Sequence, residues 1–343
     1  MEPTVALHVI VKDGNKYIRD CLRHLQQQTY PHCVVRIFDN ASDDDTVAIC
    51  KREMKTADII QFDKNYFVSG GFNKSLQYSQ EKYVVTVSVD VMIDPHFVEN
   101  AVAVMEKDRT IGVVQAKVFY YNGDTKEKTT TLDTTGLTIY QSRRIVNRGH
   151  GEQDTGQYNA PGEIFCHEGA IPFFRRDALE DVKMQRMTHH KSSEYEYLDE
   201  DFVLYAEDLD LGWRIHLFGW KCWYEPSVVA WHDRSTTHAT AGSKRAFIKQ
   251  RKTIPDYKRM LDIRNQRLTM IKNDFPQTVV RHSVFVVYRE ALLFLYVLLF
   301  ERSSLRAYRD IIRMAPLMLK KRKIIRAKSR VSEKEMRQWF LKV

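Results

Sequence analysis

The stretch VVRIFDNASDDDTVAICKREM, residues 34–54, sets the reading of the chain. A β-branched and aromatic run, VVRIF (34–38), stops at Asp39 and Asn40, and a helical pattern follows from Asp43 to Met54. The same succession of strand, polar turn and helix recurs on both sides. Strands are expected at 5–11 (VALHVIV), 58–62 (DIIQF), 83–89 (YVVTVSV) and 111–119 (IGVVQAKVF), with helices over 17–27 and 95–106. Alternation of this length predicts an α/β fold: a mostly parallel, Rossmann-like sheet with helices on both faces. In such sheets ligands gather beyond the carboxyl ends of the strands, here the loops after Phe38, Phe62 and Val89.

Those loops carry the candidate residues. Asp39 and Asn40 come directly off a strand, where a carboxylate and an amide can read ribose hydroxyls or a base edge. Ser42 or Asp43 suits a helix N-cap, and Asp44 and Asp45 suit a first helical turn, so these need no further role. NYFVSGGFN (65–73) places Gly70 and Gly71 where close backbone approach is possible, with Asn73 able to donate to a ligand oxygen. It is not a P-loop, because no GK[ST] follows. The strand at 83–89 runs into Asp90. A lone carboxylate there is costly to bury unless a cation or several donors meet it. A divalent cation bridging phosphates would do so; a cap on the next loop is the other reading.

A second acidic site lies in LYAEDLDLGWRIHLFGWKCWY (204–224). On a helix Glu207 and Asp210 share a face, while Asp208 is rotated from Glu207 by about 100°. One or two acids at a helix start are ordinary dipole partners. Three among apolar neighbours leave at least one for a cleft, where desolvation raises a carboxyl pKa and makes a general base. VVAWHDR (228–234) ends a strand in His232, either a satisfied structural histidine or a ligand.

Composition bounds the rest. The chain has 343 residues, 43% hydrophobic and 28% charged, which is the balance of a folded protein rather than a disordered one. A net charge of +9 points to an anionic partner: nucleic acid, a phosphorylated small molecule or an acidic membrane surface. Five cysteines without CxxC or Cys/His spacing read as reduced thiols of a cytosolic protein, and the N-terminus lacks a signal-peptide pattern. After residue 120 an irregular or antiparallel region is expected over the sheet, with 184–197 as an exposed loop. Near residue 250 the composition shifts. SVFVVYREALLFLYVLLF (283–300), interrupted by Arg289 and Glu290, precedes the basic LKKRKIIRAKSR (319–330). This is the pattern of a protein lying on an anionic bilayer face. A helical hairpin packed on the preceding domain, with a solvated basic face, is the other reading.

Taken in order, DNASDDDT (39–46), NYFVSGGFN (65–73), SVDVMIDP (88–95), RGHGEQDTGQYN (148–159), HEGA (167–170) and FVLYAEDLDLGWRIHLFGWKCWYEPSVVAWH (202–232) resemble the motifs of family 2 glycosyltransferases with the GT-A fold. The bacterial rhamnosyltransferase-like branch, which builds cell-surface polysaccharide, is the most similar. The resemblance implies a GT-A catalytic domain over 1–250 and an amphipathic, basic helical region over 251–343. It implies that Asp39, Asn40, Asp63 and Asn65 contact the donor nucleotide. Gly70, Gly71, Asn73 and Ser88 would line the same pocket. Asp90, with His232, would hold Mg²⁺ or Mn²⁺; Asp208 would be the base of an inverting displacement, supported by Glu207 and Asp210. The implied donor is a dTDP- or UDP-sugar, L-rhamnose being favoured. The implied acceptor is a lipid-linked glycan at the cytoplasmic face of the cell membrane, where the protein would sit peripherally.

Two positions depart from the family pattern: Ser88-Val89-Asp90 offers one carboxylate, and Phe67 stands where the family often has glycine. A sugar-phosphate nucleotidyltransferase fits less well, because no glycine-rich loop with a basic residue lies near the N-terminus. A nucleic-acid-binding module would interleave basic and aromatic residues on strands, whereas here the basic residues concentrate in the C-terminal helices.

Overall fold

The computed structural model describes residues 2–187, 194–234 and 251–342. Strands β1 (Val5–Val11), β2 (Cys33–Asp39), β3 (Asp58–Gln61) and β4 (Tyr83–Ser88) are parallel, in the order β3–β2–β1–β4. Helices α1 (Ile18–Gln26), α2 (Thr46–Glu53) and α3 (Phe67–Ser75) link them. Side-chain alternation along β1 divides the core. Val5, Leu7, Val9 and Val11 pack with α1 and with α4 (Phe97–Lys107), while Ala6 and Ile10 pack on the other face with α3. A central strand buried on both faces reads as a continuous apolar run, which is why VALHVIV shows no polar alternation.

Beyond β4 the sheet becomes mixed. After β5 (Val91–Ile93) come the long β6 (Ile111–Asn122), β7 (Glu127–Thr134), β8 (Leu137–Tyr140), β9 (Ile145–Asn147) and β10 (Gly162–Glu163). Short β11 (Phe173–Arg175) enters antiparallel between β4 and β6. Helix α5 (Arg176–Val182), α6 (Glu207–Leu217) and β14 (Lys221–His232) complete the domain, β14 running parallel to β6. The hairpins β6–β7 and β8–β9 form the expected antiparallel cover. The architecture is the expected GT-A type, a sheet parallel over β1–β4 and mixed beyond, with helices on both faces and a C-terminal helical region after it.

Of the segment 184–197, expected to be an exposed loop, 188–193 lie outside the described residues, and the described ends differ from that expectation. Its ends pair as β12 (Met184–Gln185) and β13 (Tyr195–Glu196), and Glu196 is buried against Lys321. Burial of that acid depends on a cation 125 positions later, which no local pattern reveals.

Packing runs on across residue 250. The helix Asp256–Asn273 lies against α6 and the helix Arg306–Lys328. The chain then returns as β15 (Phe340–Leu341), which pairs parallel with β8. Phe340 meets the indole of Trp213 on α6 edge-on at 6.0 Å between ring centroids. Part of the basic tail is turned inward: Lys321 is buried among Glu196, Asp199 and Asp201, and Arg326 donates to the carbonyl of Asn273, while Lys320, Lys323 and Lys328 are exposed. The helix Ser283–Phe300 is different. It is long and apolar enough to cross a membrane, with a mean hydropathy of 1.9, yet most of its side chains lie on the surface.

Candidate active site

The cleft opens at the carboxyl ends of β1 and β4 and the start of α6. Two adjoining hollows of about 580 and 1090 Å³ share Val68, Ser88, Gly169, Glu207 and Asp208. Asp90, Glu168, His232 and Arg234 line the larger one.

On the β2 side, Asp39 is buried, accepting the backbone N–H of Ser42 at 3.0 Å and Gln61 Nε2 at 3.4 Å. Asn40 clamps the next loop. Its Oδ1 accepts the Tyr66 N–H at 2.7 Å, and its Nδ2 donates to the Phe67 carbonyl at 3.1 Å. Asn65 Oδ1 accepts the Phe67 N–H, and Asp63 accepts the Tyr66 hydroxyl, both at 2.7 Å. Together these hold Phe67 in a left-handed backbone (φ 57°) with its side chain exposed. The position where the family often has glycine is therefore the one whose conformation favours glycine.

The two glycines, both within α3, also permit close packing inside the chain. A Cβ on Gly71 would lie 3.0 Å from Ile10 Cγ2 and 3.4 Å from Asn40 Nδ2, so its absence lets α3 seat on β1. A Cβ on Gly70 would meet Tyr66 Cβ at 3.1 Å. Asn73 is also engaged within the chain. It accepts the N–H groups of Tyr197 and Leu198 and donates to the Leu198 carbonyl and to Glu200. Its amide is fully occupied in holding residues 197–200.

At the end of β4, Asp90 faces His232 Nε2 at 3.6 Å. His232 Nδ1 pairs with the fully buried Asp133 at 2.9 Å. Burial works against a charged imidazole, but the bonds to Asp133 and Asp90 outweigh it and raise the His232 pKa to about 10. Asp133 also accepts Arg234 Nε at 2.8 Å, and Arg234 Nη2 donates to Glu168 at 2.8 Å. Burial opposes the Asp133 charge, yet these partners and His150 hold its carboxyl far below the usual range. A continuous charge relay, Asp90–His232–Asp133–Arg234–Glu168, thus floors the cleft.

Asp208 sits at the far end of that relay. Burial and then the Glu168 charge push its pKa up to about 6. Its Oδ1 accepts the Leu209 N–H at 2.7 Å, and a Cβ on Gly169 would fall 3.3 Å from its carboxylate, so glycine there leaves it room. Glu207 is raised as well, by burial first and by Asp208 second, and its Oε2 is buried without a hydrogen-bond partner. Asp210, expected to share the face of Glu207, turns away from the cleft. It is fully buried between Arg214 (3.0 Å), Lys272 (2.9 Å) and Asn273 (2.7 Å). The cleft-facing pair is therefore Glu207 and Asp208. Being the first two helical residues, they line the two hollows, while Asp210 lies one turn deeper against the helix Asp256–Asn273.

Asp133, Glu168 and Arg234 are additions to the sequence reading. Glu168 and Arg234 lie in HEGA and VVAWHDR, whereas Asp133 reads as a strand residue whose partners His232 and Arg234 lie 99 and 101 positions away.

A family model described as glycosyl transferase family 2 matches residues 7–183, more than half of the chain. The chain belongs to glycosyl transferase family 2. Among curated relatives of this family 2 chain, a poly-β-1,6-N-acetyl-D-glucosamine synthase of Staphylococcus epidermidis is 23% identical over 216 residues. That match takes in 62% of this chain but 46% of the relative, so the chain spans about half the length of the curated relatives it matches. Two solved structures share the fold. A mannosyltransferase from Pyrobaculum calidifontis, in complex with GDP-Man and Mn²⁺, has a TM-score of 0.52 at 16% identity, covering 95% of this chain and 81% of that one. S. aureus TarS in complex with UDP-GlcNAc also has a TM-score of 0.52 at 16% identity, covering 98% and 92%.

Proposed function

We propose that this chain moves a sugar, with inversion, from a nucleoside-diphosphate donor to a hydroxyl of a lipid-linked glycan. The observation that carries this reading is the placing of a raised-pKa carboxylate, Asp208, and the Asp90–His232 pair around one cleft. Asp208 takes the proton of the acceptor hydroxyl. The freed oxygen then bonds to the anomeric carbon as the carbon–phosphate-oxygen bond breaks, and the electron pair leaves with the nucleoside diphosphate. One base suffices, and no covalent intermediate is required. Glu207, kept protonated by burial, can donate a hydrogen bond that orients the acceptor.

Asp90 would hold a hard divalent cation through oxygen, and His232, charged while Asp133 and Asp90 flank it, would join only by giving up its Nε2 proton to the incoming cation. Among the described residues no third acidic, histidine or cysteine side chain completes a cluster, so diphosphate oxygens would supply the remaining ligands. Bound Mg²⁺ or Mn²⁺ would neutralise charge on the leaving diphosphate. Asp39 and Asn40 shape the nucleotide end. For the donor, UDP-GlcNAc and dTDP-L-rhamnose are the first two to try, the former from the likeness to poly-GlcNAc synthases and TarS, the latter from the motif pattern.

The helix Ser283–Phe300 supports a peripheral seat on the cytoplasmic face of a membrane. Val284, Val287, Tyr288, Leu292, Leu295 and Leu299 are each at least half exposed, and exposed Arg302, Arg306 and Arg309 follow. Apolar surface beside cations suits an anionic bilayer. Sedimentation with anionic but not neutral liposomes is expected; a shifted RNA band without liposome binding would point to nucleic acid instead.

The chemistry is tested by incubation with UDP-, dTDP- and GDP-sugars plus Mn²⁺. Saturable binding and slow hydrolysis of one donor are expected, and no binding of any would sink the reading. Asp208→Asn should keep donor binding while transfer falls about 10²–10⁴-fold. Asp90→Ala should weaken Mn²⁺-dependent donor binding, and an unchanged titration would remove Asp90 from the metal site.

A further inference from the structure

Three residues just before Asp208 hold left-handed backbone without being glycine: Val203 (φ 67°), Tyr205 (φ 71°) and Ala206 (φ 63°). This region is disfavoured for L side chains, most of all for a β-branched one such as Val203. A turn of that kind persists only where its surroundings over-determine it. Ala206 is also the N-cap of α6 and supplies no capping side chain, so the turn alone sets where the helix begins.

One side chain meets the whole turn. Asn265, fully buried on the helix Asp256–Asn273, directs Nδ2 at the carbonyls of Phe202 (2.8 Å), Leu204 (2.7 Å) and Tyr205 (2.9 Å). Its Oδ1 accepts Arg264 Nε at 2.8 Å, which fixes which way the amide points. Arg264 in turn donates to the Asp201 carbonyl at 2.8 Å. The Phe202 carbonyl also accepts the Leu204 N–H and Arg264, but the Leu204 and Tyr205 carbonyls join no ladder and would lose this donor without the amide. The other flank of Asp208 is pinned from the same helix, by Lys272 and Asn273 on Asp210. Loss of Asn265 therefore leaves α6 anchored and loosens only the turn.

We propose that Asn265 is a positioning residue for glycosyl transfer, holding the left-handed turn 203–206 in the shape that delivers Asp208 to the cleft. The proposal rests on Asp208 being the base. It makes the helix Asp256–Asn273 part of the active-site machinery.

The test uses the full chain and whichever of UDP-GlcNAc, dTDP-L-rhamnose and GDP-mannose turns over fastest with Mn²⁺. Asn265→Ala is expected to lower kcat by about 10²-fold, the size of effect a small misplacement of a catalytic group produces. Donor KM should stay close to that of the parent. The acid limb of the pH–rate profile should move to lower pH, because water then reaches Asp208. Adding Val203→Gly should restore most of the lost kcat, since glycine adopts the left-handed conformation without a clamp. Should Asn265→Ala fail to fold, Asn265→Ser keeps one donor, and the same rescue by Val203→Gly is expected from a milder loss. An unchanged kcat, or a loss that Val203→Gly does not relieve, overturns the proposal. Asp208→Asn separates the two ideas. Full activity there defeats the base and the clamp together, whereas an inactive Asp208→Asn beside a fully active Asn265→Ala defeats the clamp alone.

Discussion

On the β2 rim of the cleft, Asn40 grips Tyr66 and Phe67, 26 and 27 positions further on. On the α6 rim, Asp210 is gripped by Lys272 and Asn273, 62 and 63 positions on, and Asp199 by Lys321, 122 positions on. The first rim is assembled from local hydrogen bonds, those of Asn40 all neutral. The second is assembled from buried charges brought by helices the family model does not reach. A rim of local hydrogen bonds can lose one without exposing a charge, whereas a rim of buried ions cannot.

Lys272→Met probes that difference where it should be largest. The ammonium touches Asp199 at 2.7 Å and Asp210 at 2.9 Å, all three side chains being fully buried. Removing it leaves both carboxylates undercompensated, and a loss of about 3–5 kcal/mol in urea unfolding is expected. Asn40→Ala, which gives up two neutral hydrogen bonds, should cost only about 1–2 kcal/mol. Equal losses for the two variants would break the comparison.

The same contrast explains what could be read in advance. VALHVIV lies where β1 is found, because a strand buried among parallel neighbours leaves a local apolar signature, while DIIQF lies at the half-exposed edge strand β3. Asp90, His232 and Asp208 meet in one cleft because the ends of β4 and β14 and the start of α6 converge there. Helical periodicity puts Asp210 on the face of Glu207, but it knows nothing of a lysine arriving from another helix. Asp133 and Asn265 left no trace of their roles. Their partners are backbone carbonyls and ions chosen by tertiary packing, and an aspartate in a strand or an asparagine in a helix looks unremarkable by itself. The inward-facing Lys321 and Arg326 make the same point: a basic run records charge, not the side of the helix on which each charge lies.

The charge relay on the floor of the cleft gives a smaller, pH-dependent effect. Asp208 must be ionised to accept a proton, so kcat/KM should fall as pH drops through about 6. Glu168 contributes to that elevation through its charge, while Arg234 opposes it. Glu168→Gln removes the like charge and releases Arg234 from one partner, and both changes favour the ionised carboxylate. The acid limb should therefore move to lower pH, extending activity into acid. A limb that stays in place, or that moves upward, would detach Asp208 from the relay.

The smallest expected effect belongs to the β2 rim. Phe67 holds φ 57° with about half of its side chain exposed, so little packing is lost on truncation. Left-handed backbone costs an L residue about 1–2 kcal/mol, and glycine escapes that cost while losing about 0.4–1 kcal/mol through its freer unfolded chain. Phe67→Gly should accordingly stabilise the protein by about 0.5 kcal/mol, the balance of those two terms. Phe67→Ala loses the same ring but keeps the strained backbone, so it serves as the control and should show no gain. Thermal melts of the pair isolate the backbone contribution. A glycine variant no more stable than the alanine variant would mean that Asn40 and Asn65 carry the turn without strain, and that the local rim is as firmly determined as the ionic one.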